Sequence, residues 1–153
     1  MEPVVSVIIP VHNCERYLGR ALESILNQSF RDFELIVIDD SSTDQSTSVV
    51  ESYKDSRIRF YKNTENLGIA KTLNIGIQLS KGSLIARMDG DDIAHRDRLK
   101  LQVAFLNKND QIGVCGSWVT QIDETGRVLG QIQYPTHNSY IKAAIPFYIP
   151  MVH

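Results

Sequence analysis

Two short runs constrain this chain more than anything else in it: VVSVIIPV, Val4 to Val11, and FELIVID, Phe33 to Asp39. Both are β-branched and almost continuously apolar. That is the pattern of a strand covered on both faces, not the alternation of a strand with one wet side. Between them lies CERYLGRALESILNQ, in which Leu18, Ala21, Leu22, Ile25 and Leu26 recur at the spacing of one helical face, with Asn13 as the expected N-cap. Strand, amphipathic helix and strand in this order make a βαβ unit, which belongs to a parallel sheet.

The alternation continues through the first 110 residues or so. Ser42 or Thr43 is expected to cap a helix reaching about Tyr53, and RIRFY, Arg57 to Tyr61, alternates as a third strand. GIAKTLNIGIQLSKG reads as a third helix, with Ile69, Leu73 and Ile77 on one face and Gly82 as its stop. SLIARMD is a fourth strand, and RDRLKLQVAFLNKN a fourth helix through Leu99, Val103 and Leu106. IGVCGSWVTQID and RVLGQIQY flank ETG, a hairpin signal. The expected class is therefore α/β, a mostly parallel sheet flanked by helices, with a C-terminal β-hairpin region. The tail PTHNSYIKAAIPFYIPMVH has one short helical candidate and three prolines, so the chain is expected to continue beyond His153.

The 153 residues, 42% hydrophobic and 22% charged, suit one domain whose core needs no disulfides. A net charge of −2 gives no positive field for nucleic acid, and Arg57, Arg59 and Lys81 read as solvated loop charges. Cys14 and Cys115 lie in apolar surroundings and read as small core residues; without a Cys/His cluster, a structural zinc site is not expected. The N-terminus has no basic leader and no run is long enough to span a bilayer, so a cytoplasmic location is expected.

Acids crowd the strand ends. IDDSSTD follows the second strand, and MDGDD, with Asp89, Asp91 and Asp92, follows the fourth. Two unit charges about 5 Å apart repel by roughly 3 kcal/mol at an effective dielectric near 20, which a cation would relieve. Carboxylates are hard ligands suited to Mg²⁺ or Mn²⁺, which need only one or two of them when water and phosphates complete the shell. In an extended segment Asp89 and Asp91 would point the same way, with Gly90 letting the backbone approach the ligand. Ligands of parallel α/β sheets gather at these same strand ends.

VSVIIPVHN, FELIVIDDSSTD, NLGIAKTLNIGIQLSKGSLIARMDGDD and RDRLKLQVAFL arrive in the order and spacing of family 2 glycosyltransferases, which the chain resembles over about residues 4–120. The resemblance implies the Rossmann-like GT-A fold and a single domain, cut short at its C-terminus, whose donor-binding half is followed from about residue 121 by the start of an acceptor-side region. It implies that Asp40 holds the nucleotide's base through a ring N–H, that Pro10, Val11 and His12 pack against that base, and that Asp89 lies near the ribose. By the same resemblance Asp91 binds a divalent metal on the diphosphate, and Lys71 is a basic residue near the nucleotide. At position 12 the family more often has tyrosine. The donor implied is a nucleotide-sugar, UDP by family frequency. The acceptor implied is a glycan or a lipid-linked molecule, with the full-length protein touching the inner face of the membrane peripherally. Transfer would be metal-dependent and inverting.

A departing diphosphate gains charge that a metal can neutralise, and the attacking hydroxyl needs a positioned base. Asp123 and Glu124 sit in the turn DETG and read as turn residues, so the base is expected beyond His153. The alternative is a nucleotide- and metal-binding fragment, or a degenerate homologue, without transferase activity. A nucleotidyltransferase would need a glycine-rich, basic loop after the first strand, whereas PVHNCERYL has no glycine until Gly19. A phosphorelay receiver would lack the DGDD block.

Overall fold

Four parallel strands form the sheet: β1 (Val5–Val11), β2 (Phe33–Asp39), β3 (Ile58–Lys62) and β4 (Leu84–Arg87), in the order β3-β2-β1-β4. The computed structural model describes residues 2–145 and divides at about residue 101 into two compact units. In the first unit the sheet alternates with α1 (Glu15–Leu26), α2 (Ser46–Ser52) and α3 (Ile69–Leu79). β1 and β2 lie at the centre of the sheet, in register from Val5↔Phe33 to Val11↔Asp39. Position in the sheet explains why these two strands are continuously apolar, while half-buried β3 alternates.

The strand order carries a functional consequence. The chain steps from β1 outward to β2 and β3, then returns past β1 to place β4 on its other side. Right-handed crossovers then put α1 and α2 on one face and α3 on the other, and open a crevice where the order reverses, between the ends of β1 and β4.

α3 corrects one expectation. Ile69 and Ile77 are 55% and 52% exposed, whereas Thr72 and Gly76 are buried. Leu73, Ile75 and Leu79 pack against Ile8, Ile36 and Ile38. A Cβ on Gly76 would stand 2.5 Å from Ile8 Cγ2, so the helix meets the sheet through the residue with no side chain. Gly82 is not the stop either: α3 ends at Leu79 with Ser80 as its C-cap, and a Cβ at Gly82 would lie 2.6 Å from the Ser6 backbone nitrogen. It is glycine because two backbones touch there.

Arg57 and Arg59 are not solvated loop charges. The Arg57 guanidinium lies 4.5 Å from the Phe33 ring centroid and pairs with Asp55 at 2.7 Å. Arg59 donates to buried Glu34 at 2.6 Å, and Glu34 also accepts from the Ser6 hydroxyl at 2.6 Å and the Lys81 N–H at 2.7 Å. Burial alone would raise the Glu34 carboxyl; these donors hold it below its ordinary value. Gln28, also buried, ties the end of α1 onward by donating to the Ser24 and His95 carbonyls and accepting from the Leu99 N–H.

The next helix, α4 (Arg98–Lys108), buries Leu99 and Val103 but leaves Leu106 only half-buried. In the second unit, β5 (Val119–Ile122) and β6 (Val128–Ile132) pair antiparallel as the expected hairpin, though 112–118 stay outside it. Asp123 serves the turn, accepting from Thr125 and from the Arg127 N–H. The short α5 (Asn138–Ala144) comes next; the tail from residue 146, His153 included, lies outside the described residues. Among the described residues no helix is long and apolar enough to cross a membrane.

Candidate nucleotide-binding site

At the reversal point lies a cleft of about 340 Å³, within the range of ligand pockets. Its wall is built from three strand ends and two helices of the first unit. Pro10, Val11, His12 and Asn13 come from the end of β1, Cys14 and Tyr17 from the start of α1, and Asp40 from the end of β2. Ile69 and Thr72 come from α3, and Asp89, Gly90 and Asp91 from the loop after β4. Every expected site residue except Lys71 is there. Lys71 is exposed on α3, beside Thr72, and is not among the lining residues.

The two acids of IDD separate by role. Asp39 is fully buried; it accepts from the Ser42 N–H at 2.8 Å and the Thr47 hydroxyl at 2.6 Å, with Lys62 Nζ at 3.6 Å, and so closes its own loop. Asp40 is 4% exposed and faces the cleft. Its Oδ1 accepts from Asn63 Nδ2 at 2.7 Å and the Leu67 N–H at 2.9 Å, and its Oδ2 from the Gly68 N–H at 2.8 Å. Burial pushes this carboxyl up, but the donors outweigh it and hold it below the usual carboxylate range. Gly68 can present its N–H because it sits at φ 81°, open to glycine at no steric cost. Asn63, Leu67 and Gly68 are partners of Asp40 that sequence reasoning misses: Leu67 and Gly68 lie in the NLGIAK block, but nothing in the sequence ties that block to the end of β2, and Asn63 lies outside it.

His12 is exposed, its Nδ1 2.9 Å from the Asp40 carbonyl oxygen, so that nitrogen carries the proton and donates. Asn13 and Asn66 amides stand 3.2 Å from Nε2, which then accepts. Asn13 does not cap α1 through its side chain. The cap is Cys14, and Asn13 adopts φ 52°, opposite Ser41 at φ 60°. The two loops cap each other instead. Backbone N–H groups of Asn13, Cys14 and Glu15 donate to Ser42, Ser46 and Asp44, while those of Thr43 and Gln45 donate to Asn13 and Glu15. α2 accordingly starts at Ser46, later than a Ser42 or Thr43 cap implies. The rim is thus fixed by paired donors and acceptors at the free ends of two helices.

Cys14 is half-buried in the cleft wall and Cys115 half-buried in the second unit, so neither is a core residue. Burial, with Asp44 and Asp91 adding to it, pushes the Cys14 thiol up to about 11, which leaves it protonated and inert near neutral pH. Gly90 packs against it: a Cβ there would lie 2.9 Å from Cys14 Sγ.

β4 ends at Arg87, and Asp89 to Asp92 form a turn, closed by a 3.3 Å bond from the Asp92 N–H to the Asp89 carbonyl, rather than the extended segment expected. Asp89 and Asp91 line the same cleft through that turn and not through strand alternation. Asp89 Oδ1 accepts from Arg87 at 2.8 Å, and Asp91 is exposed. Partial desolvation, then the charges of Asp89 and Asp91, raise the Asp92 carboxyl. Among the described residues no three His, Cys, Asp or Glu side chains converge on one point. Two hard carboxylates in a crowded acidic turn still fit Mg²⁺ or Mn²⁺, which take the rest of their shell from water and phosphate.

The model of the family described as glycosyl transferase family 2 matches residues 6–152. A putative glycosyltransferase of Bacillus subtilis, EpsE, is 40% identical over 87% of this chain and 50% of its own length. The O-antigen biosynthesis glycosyltransferase WbnJ of Escherichia coli is 34% identical over 94% of the chain and 57% of its own length. The chain thus spans about half the length of the curated relatives it matches. Among solved structures, Staphylococcus aureus TarS (1–349) in complex with UDP-GlcNAc matches 79% of this chain and 37% of its own, with 31% identity and a TM-score of 0.67. The mannosyltransferase PcManGT of Pyrobaculum calidifontis, in complex with GDP-Man and Mn²⁺, matches 80% of this chain and 36% of its own, with 27% identity and a TM-score of 0.65.

Proposed function

The chain belongs to glycosyltransferase family 2 and has the GT-A fold, and from that premise we propose that it forms the donor side of an enzyme moving a sugar from UDP to a glycan or lipid-linked hydroxyl. One observation carries the reading: a single cleft at the strand reversal brings Pro10, Val11, His12 and Asp40 together with Asp89 and Asp91. In this reading Asp40 accepts from a ring N–H of the base, and Pro10, Val11 and His12 form the wall beside it. Asp89, steadied by Arg87, takes the ribose, and Lys71 is left the outer edge of the nucleotide.

Asp91, with Asp89 beside it, would hold Mg²⁺ or Mn²⁺. That ion would supply Lewis-acid neutralisation of the diphosphate leaving group. The bonds that tie the loops after β1 and β2 to each other hold the wall beside the base in place before the donor arrives. The base that takes the acceptor's proton, with inversion at the transferred carbon, is assigned to the part of such enzymes that this chain does not span. Because the chain spans about half of its relatives, a fragment that binds nucleotide and metal without transfer is the second reading.

Titration calorimetry of UDP into the chain, with and without Mn²⁺, tests the donor site. Mn²⁺ should tighten UDP by about tenfold or more, and Asp91→Asn should abolish that gain while leaving metal-free binding unchanged. Absence of UDP binding to the folded chain under both conditions would sink the reading.

A further inference from the structure

We propose that Asn63 determines which base the cleft accepts: its amide fills an acceptor position on Asp40, so the remaining carboxylate takes a base with one ring N–H, uracil or thymine, and excludes guanine, which presents two donors side by side. The inference rests on the nucleotide-binding reading of this cleft and deepens it.

Asp40 and the acidic turn stand at the ends of β2 and β4, with β1 between them. Two strand spacings separate those strands, about 10 Å. A diphosphate shared with a cation belongs at the acidic turn, and the buried negative charge of Asp40 repels phosphate from its own end. What reaches Asp40 must therefore be neutral and must donate.

A carboxylate has about four acceptor positions. Asn63 Nδ2 and the Leu67 N–H take two on Oδ1, at 2.7 and 2.9 Å, and the Gly68 N–H takes one on Oδ2 at 2.8 Å. The Thr72 hydroxyl adjoins the same carboxylate and competes for what is left. At most one position stays open. Uracil and thymine need one. Guanine brings N1–H and its 2-amino group together and would leave one donor buried and unpaired, a loss of about tenfold or more in affinity. Adenine and neutral cytosine have no ring N–H on that edge; each could donate only an exocyclic amino hydrogen, with a ring lone pair beside it turned toward the carboxylate, which weakens both against uracil and thymine.

Of the three donors only Asn63 acts through a side chain, so only it can be removed by substitution without rebuilding the backbone. Its place is fixed: its N–H donates to the Asp39 carbonyl at 2.8 Å, and its amide also donates to Thr72 Oγ1 at 3.1 Å.

The test titrates UDP, TDP and GDP, each with Mn²⁺, into the native chain and into Asn63→Ala, with Asn63→Ser as the milder variant should alanine fail to fold. The native chain should bind UDP and TDP about tenfold or more tighter than GDP, and the substitutions should narrow that ratio to about threefold or less. GDP binding as tightly as UDP in the native chain, or an unchanged ratio in a folded variant, would overturn the role of Asn63 and leave the donor site standing. If none of the three nucleotides binds, this inference and the donor-site reading fall together.

Discussion

At the scale of single residues, Asp40 shows how far the sequence reaches. Its type and its place at the end of a buried strand were legible in IDD, and so was its nearness to Asp89 and Asp91, because parallel strands bring their ends together. Its donors were not legible, since two of the three are backbone N–H groups aimed by the turn that ends in positive-φ Gly68. The depressed carboxyl makes a pH prediction. Asp40 titrates below its unfolded value of about 3.9, so the stability it contributes is complete above that pH and is lost as pH falls through the lower folded value. Asp40→Asn should cost about 2 kcal/mol in urea unfolding at pH 7. The gap between native and variant chains should close progressively below about pH 4. A gap that stays constant from pH 7 to pH 3 would mean that the charge is not what the three donors stabilise.

At the scale of elements, β1, β2 and the buried face of α1 emerge from apolar pattern alone, because a central strand and a wide helical stripe leave no second solution. α3 does not. Its large apolar residues recur at helical spacing, yet Ile69 lines the cleft, Ile77 is exposed, and the contact face holds Thr72 and Gly76. Periodicity counts side chains, and a helix that packs through a missing side chain is invisible to it. The consequence is a contrast that ordinary substitution rules invert. Gly76→Ala, normally favourable in a helix by about 1 kcal/mol, should destabilise the chain by about 1–3 kcal/mol through overpacking against Ile8 and Ile38. Ile77→Ala, which would look like a core deletion, should cost about 0.5 kcal/mol or less. Chemical denaturation of the two variants side by side decides which face of α3 is buried.

At the scale of the whole molecule, burial is distributed unevenly along the chain. The buried apolar residues run from Val5 to Val103, and beyond them only Ala144 is buried among the described residues. The cleft lies entirely within the same stretch, its last lining residue being Asp91. The hairpin was readable because DETG is a turn signal, but β5 and β6 leave Ile122, Val128 and Leu129 exposed, so a correct local reading there says little about stability. Cooperative stability should accordingly reside in the first unit, since protection tracks buried apolar contact. Hydrogen exchange by mass spectrometry should find the slowest amides in β1, β2 and α1, exchanging only on global unfolding. The hairpin amides of residues 119–132 should exchange at least about a hundredfold faster, by local opening that leaves the cleft intact. Saturating UDP with Mn²⁺ should slow exchange around Asp40 and residues 66–69 and leave the hairpin rates where they were. Slow exchange in the hairpin, matching β1 and β2, would instead show the two units unfolding as one and would move the site's stability beyond the sheet that builds it.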